Sequence, residues 1–388
     1  SGNNTYTGTT TIAATTTAQV GAFGSVGAIG RGPIDNDGTL VFARTDDYVM
    51  PAGNIVTGNG AVTLGSTGKV IVSAPGQFDT AGVLNFGNVA GSTVVSKLDL
   101  SAGGATFGQM VVRTRSALAD NVITVGAGHT LRVDGAVTIG YNSSASTVTR
   151  LVLDGGGAFV IGSVGNSALI NVQLGGNVTT NVTSRAVVDM SGLSSFYAGL
   201  AGGTLRVGDT TNDNGGAGGG AGSQLILAPT STIVAASLIV DAEIDNVTQT
   251  LRLGTGVNTL NVNTLTVATN RSDGLVNFLD ATLGSLVIRN RAGTGRAAIN
   301  IGVVSSTTGA VTFADMDLRG HAIDILASTL SVGGRTGNDG NSTTATFSMS
   351  AGTLDATSIV LGSRANTVGA QTGTTSGTLN ISGGTVIT

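Results

Sequence analysis

Apolar and polar residues alternate along this chain in short runs, and Gly, Thr, Ser, Asn or Asp separate one run from the next. In GTLVFAR (38–44), Leu40 and Phe42 stand against Thr39, Val41 and Ala43. NGAVTLG (59–65) repeats the pattern with Val62 and Leu64, and GKVIVSA (68–74) with Val70 and Val72. Alternation of period two puts one set of side chains on each face of a β-strand. Similar runs continue through KLDLSAG (97–103), NVITVG (121–126), RLVLDGGGAFVIG (150–162) and ALINVQLGG (168–176). No stretch of ten or more residues shows the i, i+3, i+4 spacing of an amphipathic helix. The pattern predicts an all-β chain.

A longer period lies over the short one. SQLILAPTSTIVAASLIVDA (223–242), TLRLGTGVNTLNVNTLTVAT (250–269) and ATFSMSAGTLDATSIVLGSR (345–364) are variations of one line, and LVNFLDATLGSLVIRN (275–290) is another. The first apolar residues of successive lines, Leu225, Leu251 and Leu275, recur at about 25 positions, and a period of about 20–50 residues marks a repeat architecture. A β-sandwich also has many short strands but lacks this longer self-similarity. The expected fold is a single elongated parallel β-solenoid (β-helix), each line one coil. About 15 coils stacked at roughly 4.8 Å predict a rod about 60–75 Å long. Its divisions are an irregular N-terminal segment (1–34), a first half (35–209), a Gly-rich loop (210–223) and a second half (224–388) ending in an uncapped coil. Phe196 and Tyr197 are expected to plug a corner of the core.

Composition narrows the picture. Hydrophobic residues make up 40% of the 388, yet aromatics are 4%, with no Trp and 62 Gly. Such a chain buries apolar area with Val, Leu, Ile and Ala in thin layers. Charged residues are 10%, against about 25% in ordinary soluble domains, so Thr, Ser, Asn and Gly must cover the surface. A net charge of −4 without a basic cluster argues against nucleic acid, whose phosphates need neutralising by Lys and Arg. With no Cys, disulfides and thiolate metal sites are excluded. No apolar run of about 18 residues exists to insert in a membrane as a helix. Ser1 opens no leader pattern, as expected of a chain already processed or cut from something longer.

Three stretches are similar to the autotransporter-associated β-strand repeat proteins of bacterial surfaces: SGNNTYTGTTTI (1–12), DNDGTLVFARTDDYVMPAGNIVTGNGAVTLGSTGKVIVS (35–73) and GTLNISGGTV (377–386). The N-N-T-Y-T-G-x-T-T-I run is the distinctive piece. The resemblance implies a secreted or surface-exposed bacterial β-solenoid, and the family supplies no catalytic residues. In that family the N-N-T-Y-T-G segment usually follows a G-T-L-x-L strand of the preceding coil, which is missing here. The two ends are therefore expected to complete each other between copies, giving an open head-to-tail filament through added strands. Asn4, Thr5, Tyr6, Thr7 and Ile12 are the docking candidates, and Leu379, Ile381, Val386 and Ile387 the receivers. The alternatives are one excised piece of a longer solenoid, or a self-capped monomer.

The best catalytic candidate is ADMDLRGHAID (314–324). On a strand, Asp315, Asp317 and Arg319 share one face while Met316 and Leu318 point the other way, and His321 follows in the turn. Paired carboxylates can act on a sugar chain as acid and base. Right-handed β-helix pectinases use similar residue types, drawn from several coils, and no matching acidic positions are evident in neighbouring lines here. A solvated strand face accounts for the motif, and the chain is read as no enzyme. Two Asn/Asp-rich loops, Asp209 with Asn212, Asp213 and Asn214, and Asn338 with Asp339 and Asn341, have the oxygen ligands of a Ca²⁺ site. They lack both the nonapeptide and the EF-hand spacing, and no cofactor or metal is expected. The N-x-[ST] triplets at Asn142 and Asn177 read as turn composition.

The sequence thus points to an extracellular structural β-solenoid of a bacterial surface, a filament subunit whose partners are copies of itself. The runner-up is an adhesin or passenger stalk whose loops meet a host surface or polysaccharide. A polysaccharide-acting enzyme is the third.

Overall fold

The computed structural model describes residues 2–87, 93–114, 119–140, 147–163, 169–174, 184–208, 222–241, 247–269, 272–304, 312–336, 342–364 and 373–388. Among them every regular element is a β-strand. No helix among them is long and apolar enough to cross a membrane. The chain is all-β with parallel strands, the stacking of a β-solenoid. The candidate Ca²⁺ loops, the two N-x-[ST] triplets and nearly all of the Gly-rich loop lie outside the described residues.

Strands recur in a fixed rotation through three ladders. One is a separate sheet of twelve strands running from Tyr48–Val49 through Lys69–Ile71 and Lys97–Leu100 to Thr343–Met349 and Thr375–Ile381; we call it the third face. The first face includes Ile34–Asn36, Val56–Thr57, Phe78–Asp79 and Ala105–Phe107, and the second Thr39–Arg44, Ala61–Leu64, Val83–Phe86 and Gln109–Val112. These two faces merge into one sheet of 24 strands, because Thr230–Val240, Val257–Val267 and Ala322–Arg335 run across the corner without a break. Successive strands of a face pair in register, as in Leu40 with Val62, Val62 with Leu84, and Leu84 with Met110. Almost all segments outside the described residues fall, in sequence, between a second-face and a third-face strand; 164–168 is the internal exception.

The alternation explains the core. Every second residue of a strand points inward, so like positions of successive coils stack in rows of branched aliphatics. Leu40, Val62, Leu84, Met110 and Val137 form one such row, all at most 1% exposed. One continuous hydrophobic cluster runs from Ile12 to Ala356. Several of the few aromatics are grouped within it. Phe42, Phe78 and Phe107 meet in sequence at ring-centroid distances of 6.3 and 5.3 Å. Phe196 packs on Phe159 at 5.6 Å and is 3% exposed, whereas Tyr197 stands half-buried on the outside. Only the first of that pair plugs the core.

Corners interrupt the backbone ladder, and orphaned carbonyls there need other donors. Buried amide side chains supply them from coil to coil. Asn36 Nδ2 donates to the Ala61 carbonyl (3.0 Å), Asn121 Nδ2 to that of Arg150 (2.8 Å), and Asn258 Nδ2 to that of Ser285 (3.1 Å). Gln77 Nε2 donates to Pro51 O at 2.6 Å while its Oε1 accepts from the amides of Ser73 and Ala74.

Asp241 is a buried carboxylate at the end of the second face, 1% exposed. Its oxygens accept from the Ser272 and Thr269 hydroxyls and, at 3.2 Å, from the Thr269 amide. Burial pushes its pKa above the ordinary carboxylate value, against the opposing pull of those bonds and of Arg206. A group with a raised folded pKa contributes stability that is fully present below its unfolded pKa and is lost as pH rises through the folded one. The contribution of Asp241 to the melting temperature should therefore decline as pH rises from about 4, the usual carboxylate value, towards neutrality, opposite in sign to that of Asp46, Asp99, Asp280 and Asp317, whose pKa values are lowered. Asp241→Asn should remove that decline from a circular-dichroism melting series. Equal slopes in both proteins would rule out Asp241 as the source.

The N-terminal segment is more regular than its sequence implies. Thr10–Ile12 already pairs with Ile34–Asn36, and Thr17–Gly24 with Thr39–Arg44. Before them, the Asn4 amide donates to Ala28 O (3.3 Å) and the Arg31 amide to Tyr6 O (2.7 Å).

Candidate functional site

Two regions hold the residues singled out by the sequence: the two edges of the ladders and the strand Thr312–Leu318 with the turn after it. At the first edge, Tyr6 is 46% exposed, its hydroxyl hydrogen-bonded to Thr10 Oγ1 at 2.6 Å. Its ring covers Gly30, where an added Cβ would come within 2.4 Å of it. Asn4, Thr5 and Thr7 are exposed, and Ile12 turns its side chain into the core at 3%. This segment lies along residues of its own next coil by one edge, and no strand among the described residues pairs with the other.

At the opposite edge, Leu379 extends the inward row Met316–Phe347 and Ile381 the row Leu318–Met349. Phe347 and Met349 are fully buried, whereas Ile381 is 46% exposed. Leu379 and Val386 rest partly against the core. Ile387 pairs with Asp355, on the outward side, so it is not a core-type position.

The acidic strand has the expected alternation, with Met316 and Leu318 fully buried. On its outer side Arg319 binds Asp317 in a two-pronged ion pair, Nε to Oδ1 at 2.8 Å and Nη2 to Oδ2 at 2.6 Å. That bond holds the Asp317 pKa below the usual range. Burial, and then the Asp317 charge, push Asp315 up. The two carboxylates are thus driven apart in proton affinity, with Asp317 committed to its guanidinium.

His321 is not a solvated turn residue. It is 4% exposed, and its ring lies flat on Phe278 with centroids 3.7 Å apart and planes inclined by 15°. The two rings form one corner step of adjacent coils. Around them opens a cleft walled by the turns at Asp280–Ala281 and Arg319–Gly320 and floored by Asn277. Asp280 Oδ1 accepts from the amides of Thr282 (2.8 Å) and Leu283 (2.9 Å), and these bonds lower its pKa.

The sequence reading finds no acidic partner in neighbouring lines; the structure corrects this. Asp280 lies beside His321, and Asp273 on the preceding strand accepts from the Phe313 amide at 2.9 Å. Asn277, Phe278 and Asp280 had no signal of their own, because only the register of Asn277 on Asp317 brings them to the motif. Among the described residues no group of three His, Asp or Glu is placed to hold a metal ion. No known protein family, curated protein or solved structure matches the chain.

Proposed function

We propose that this chain is a structural β-solenoid of a bacterial surface, secreted, and that copies of it stack end to end into a filament. The observation that carries the reading is the exposure of core-type residues at one edge of the ladders. Leu361 and Ile381 are 45% and 46% exposed, while Val332 and Met349, their register partners one coil inward, are fully buried. Among the described residues, the other edge offers main chain unpaired on one side at Thr10–Ile12, on the same face as Thr385–Ile387. A second copy placed there would continue the ladders and cover the exposed rows by strand addition. Because the two surfaces differ, such a contact is heterologous and does not close. The resemblance to autotransporter-associated repeats supports the surface location.

A solenoid of the expected roughly 15 coils at about 4.8 Å each gives an axial repeat of about 60–75 Å. Electron microscopy of the purified chain should show unbranched fibres with that repeat. Both Ile381→Lys and removal of residues 2–12 should leave single rods. Sedimentation showing only monomers of the unaltered chain, up to the highest concentration reached, would refute end-to-end assembly.

A further inference from the structure

We propose that the cleft over the Phe278–His321 stack binds one unit of a neutral, hydroxyl-rich polysaccharide lying along the rod. Two of the residues lining this cleft carry a buried polar atom without a hydrogen-bond partner, His321 at Nδ1 and Asn277 at Oδ1. Native proteins leave few such atoms unpaired, and each one asks for a missing partner. An open cleft of about 400 Å³ with several polar walls invites a ligand group that both donates and accepts. Hydroxyls do both.

Charge selects the class. Asp317 and Arg319 neutralise one another at 2.6 Å, which leaves Asp280 as the uncompensated charge at the cleft. An anionic ligand would face that carboxylate, and a simple ammonium would face the Arg319 guanidinium on the other wall. Metal is disfavoured because no three metal-ligating side chains converge there among the described residues. Carboxylate, amide, guanidinium and imidazole together match the mixed donors and acceptors of a sugar ring.

The polymer follows from register. Arg252, Asn277, Asp317, Ser348 and Asn380 are successive partners on the third face, one per coil. The row continues the cleft along the rod at roughly 4.8 Å per step, and Arg252 Nε in it also lacks a partner. A linear polymer along this row meets accessible polar side chains at Arg252, Asn277, Asp317 and Asn380, while Ser348 between the last two is buried.

The chain contains two histidines, His129 and His321, so ¹⁵N-histidine labelling reports the site with a built-in control. Maltohexaose, cellohexaose and mannohexaose are each titrated into the full chain, with hexagalacturonate and n-butylammonium as the charged probes. At least one neutral hexasaccharide should shift the His321 imidazole resonances while His129 stays still. Asn277→Ala should weaken that binding at least tenfold, as should Asp280→Asn, whose site is an exposed turn. The proposal falls if no neutral sugar moves His321, if only butylammonium or hexagalacturonate does, or if both variants bind as the unaltered chain.

Discussion

Phe78→Ala is expected to destabilise the first third of the rod by about 3–5 kcal/mol, the usual cost of removing a buried aromatic ring. Phe78 is 1% exposed and touches Phe42 edge-on and Phe107 at a tilt. Its register neighbours are Val56 on one side and Ala105 on the other. The small side chain at Ala105 cannot fill the space, and the strand ladder prevents the coils from closing up. The cavity therefore stays open, the condition under which such substitutions cost most. In a stacked repeat each coil contacts mainly its neighbours, so the damage should be local. Hydrogen exchange should quicken in Val56–Thr57 and Ala105–Phe107 and stay unchanged in Thr343–Met349. Uniform loss of protection along the chain would mean that the rod unfolds as one unit and would contradict this account.

Gly352→Ala should cost a comparable amount for a different reason. Gly352 sits at φ +85°, where an L side chain is strained, and an added Cβ would lie 2.0 Å from the Ile323 carbonyl oxygen and 2.4 Å from its nitrogen. Both are backbone atoms of the paired strand, so no side chain can turn away to make room. Gly76 isolates the conformational part: it has φ +75° with nothing within 4 Å of the added carbon. Alanine there should cost only about 1–2 kcal/mol. At Gly24, with ordinary φ and open space, alanine should be neutral or slightly stabilising, since it restricts the unfolded chain. Thermal melts of the three variants should rank Gly352 far below Gly76, with Gly24 near the unaltered chain. Equal melting points for the first two would show that the coils separate easily at that corner.

Local alternation and the period of about 25 residues were enough to establish the strands, the inward set and the parallel stacking. Leu40, Phe42, Val62 and Leu64 are at most 3% exposed, as their spacing predicts, although Val41, Ala43 and Thr63 of the opposite parity are buried too. These properties are written into neighbouring residues, because the direction of a side chain on a strand depends only on its position parity. Ser231 and Asn258 show the limit. They fall in strands that alternate well, yet both are buried polar groups serving corners, with Asn258 bonded to Gly254 and Ser285.

Tertiary structure decided whatever depends on which coil lies beside which. Connections of unequal length between the second and third faces remove any fixed offset, so Asn277 meets Asp317 across a span that no motif spacing encodes. For the same reason His321 finds Phe278, and Asp241 finds Thr269 and Ser272. The sequence shows His321 as a turn residue beside an acidic strand. Its burial and its stacking arise only when the preceding coil, with Phe278, packs against it.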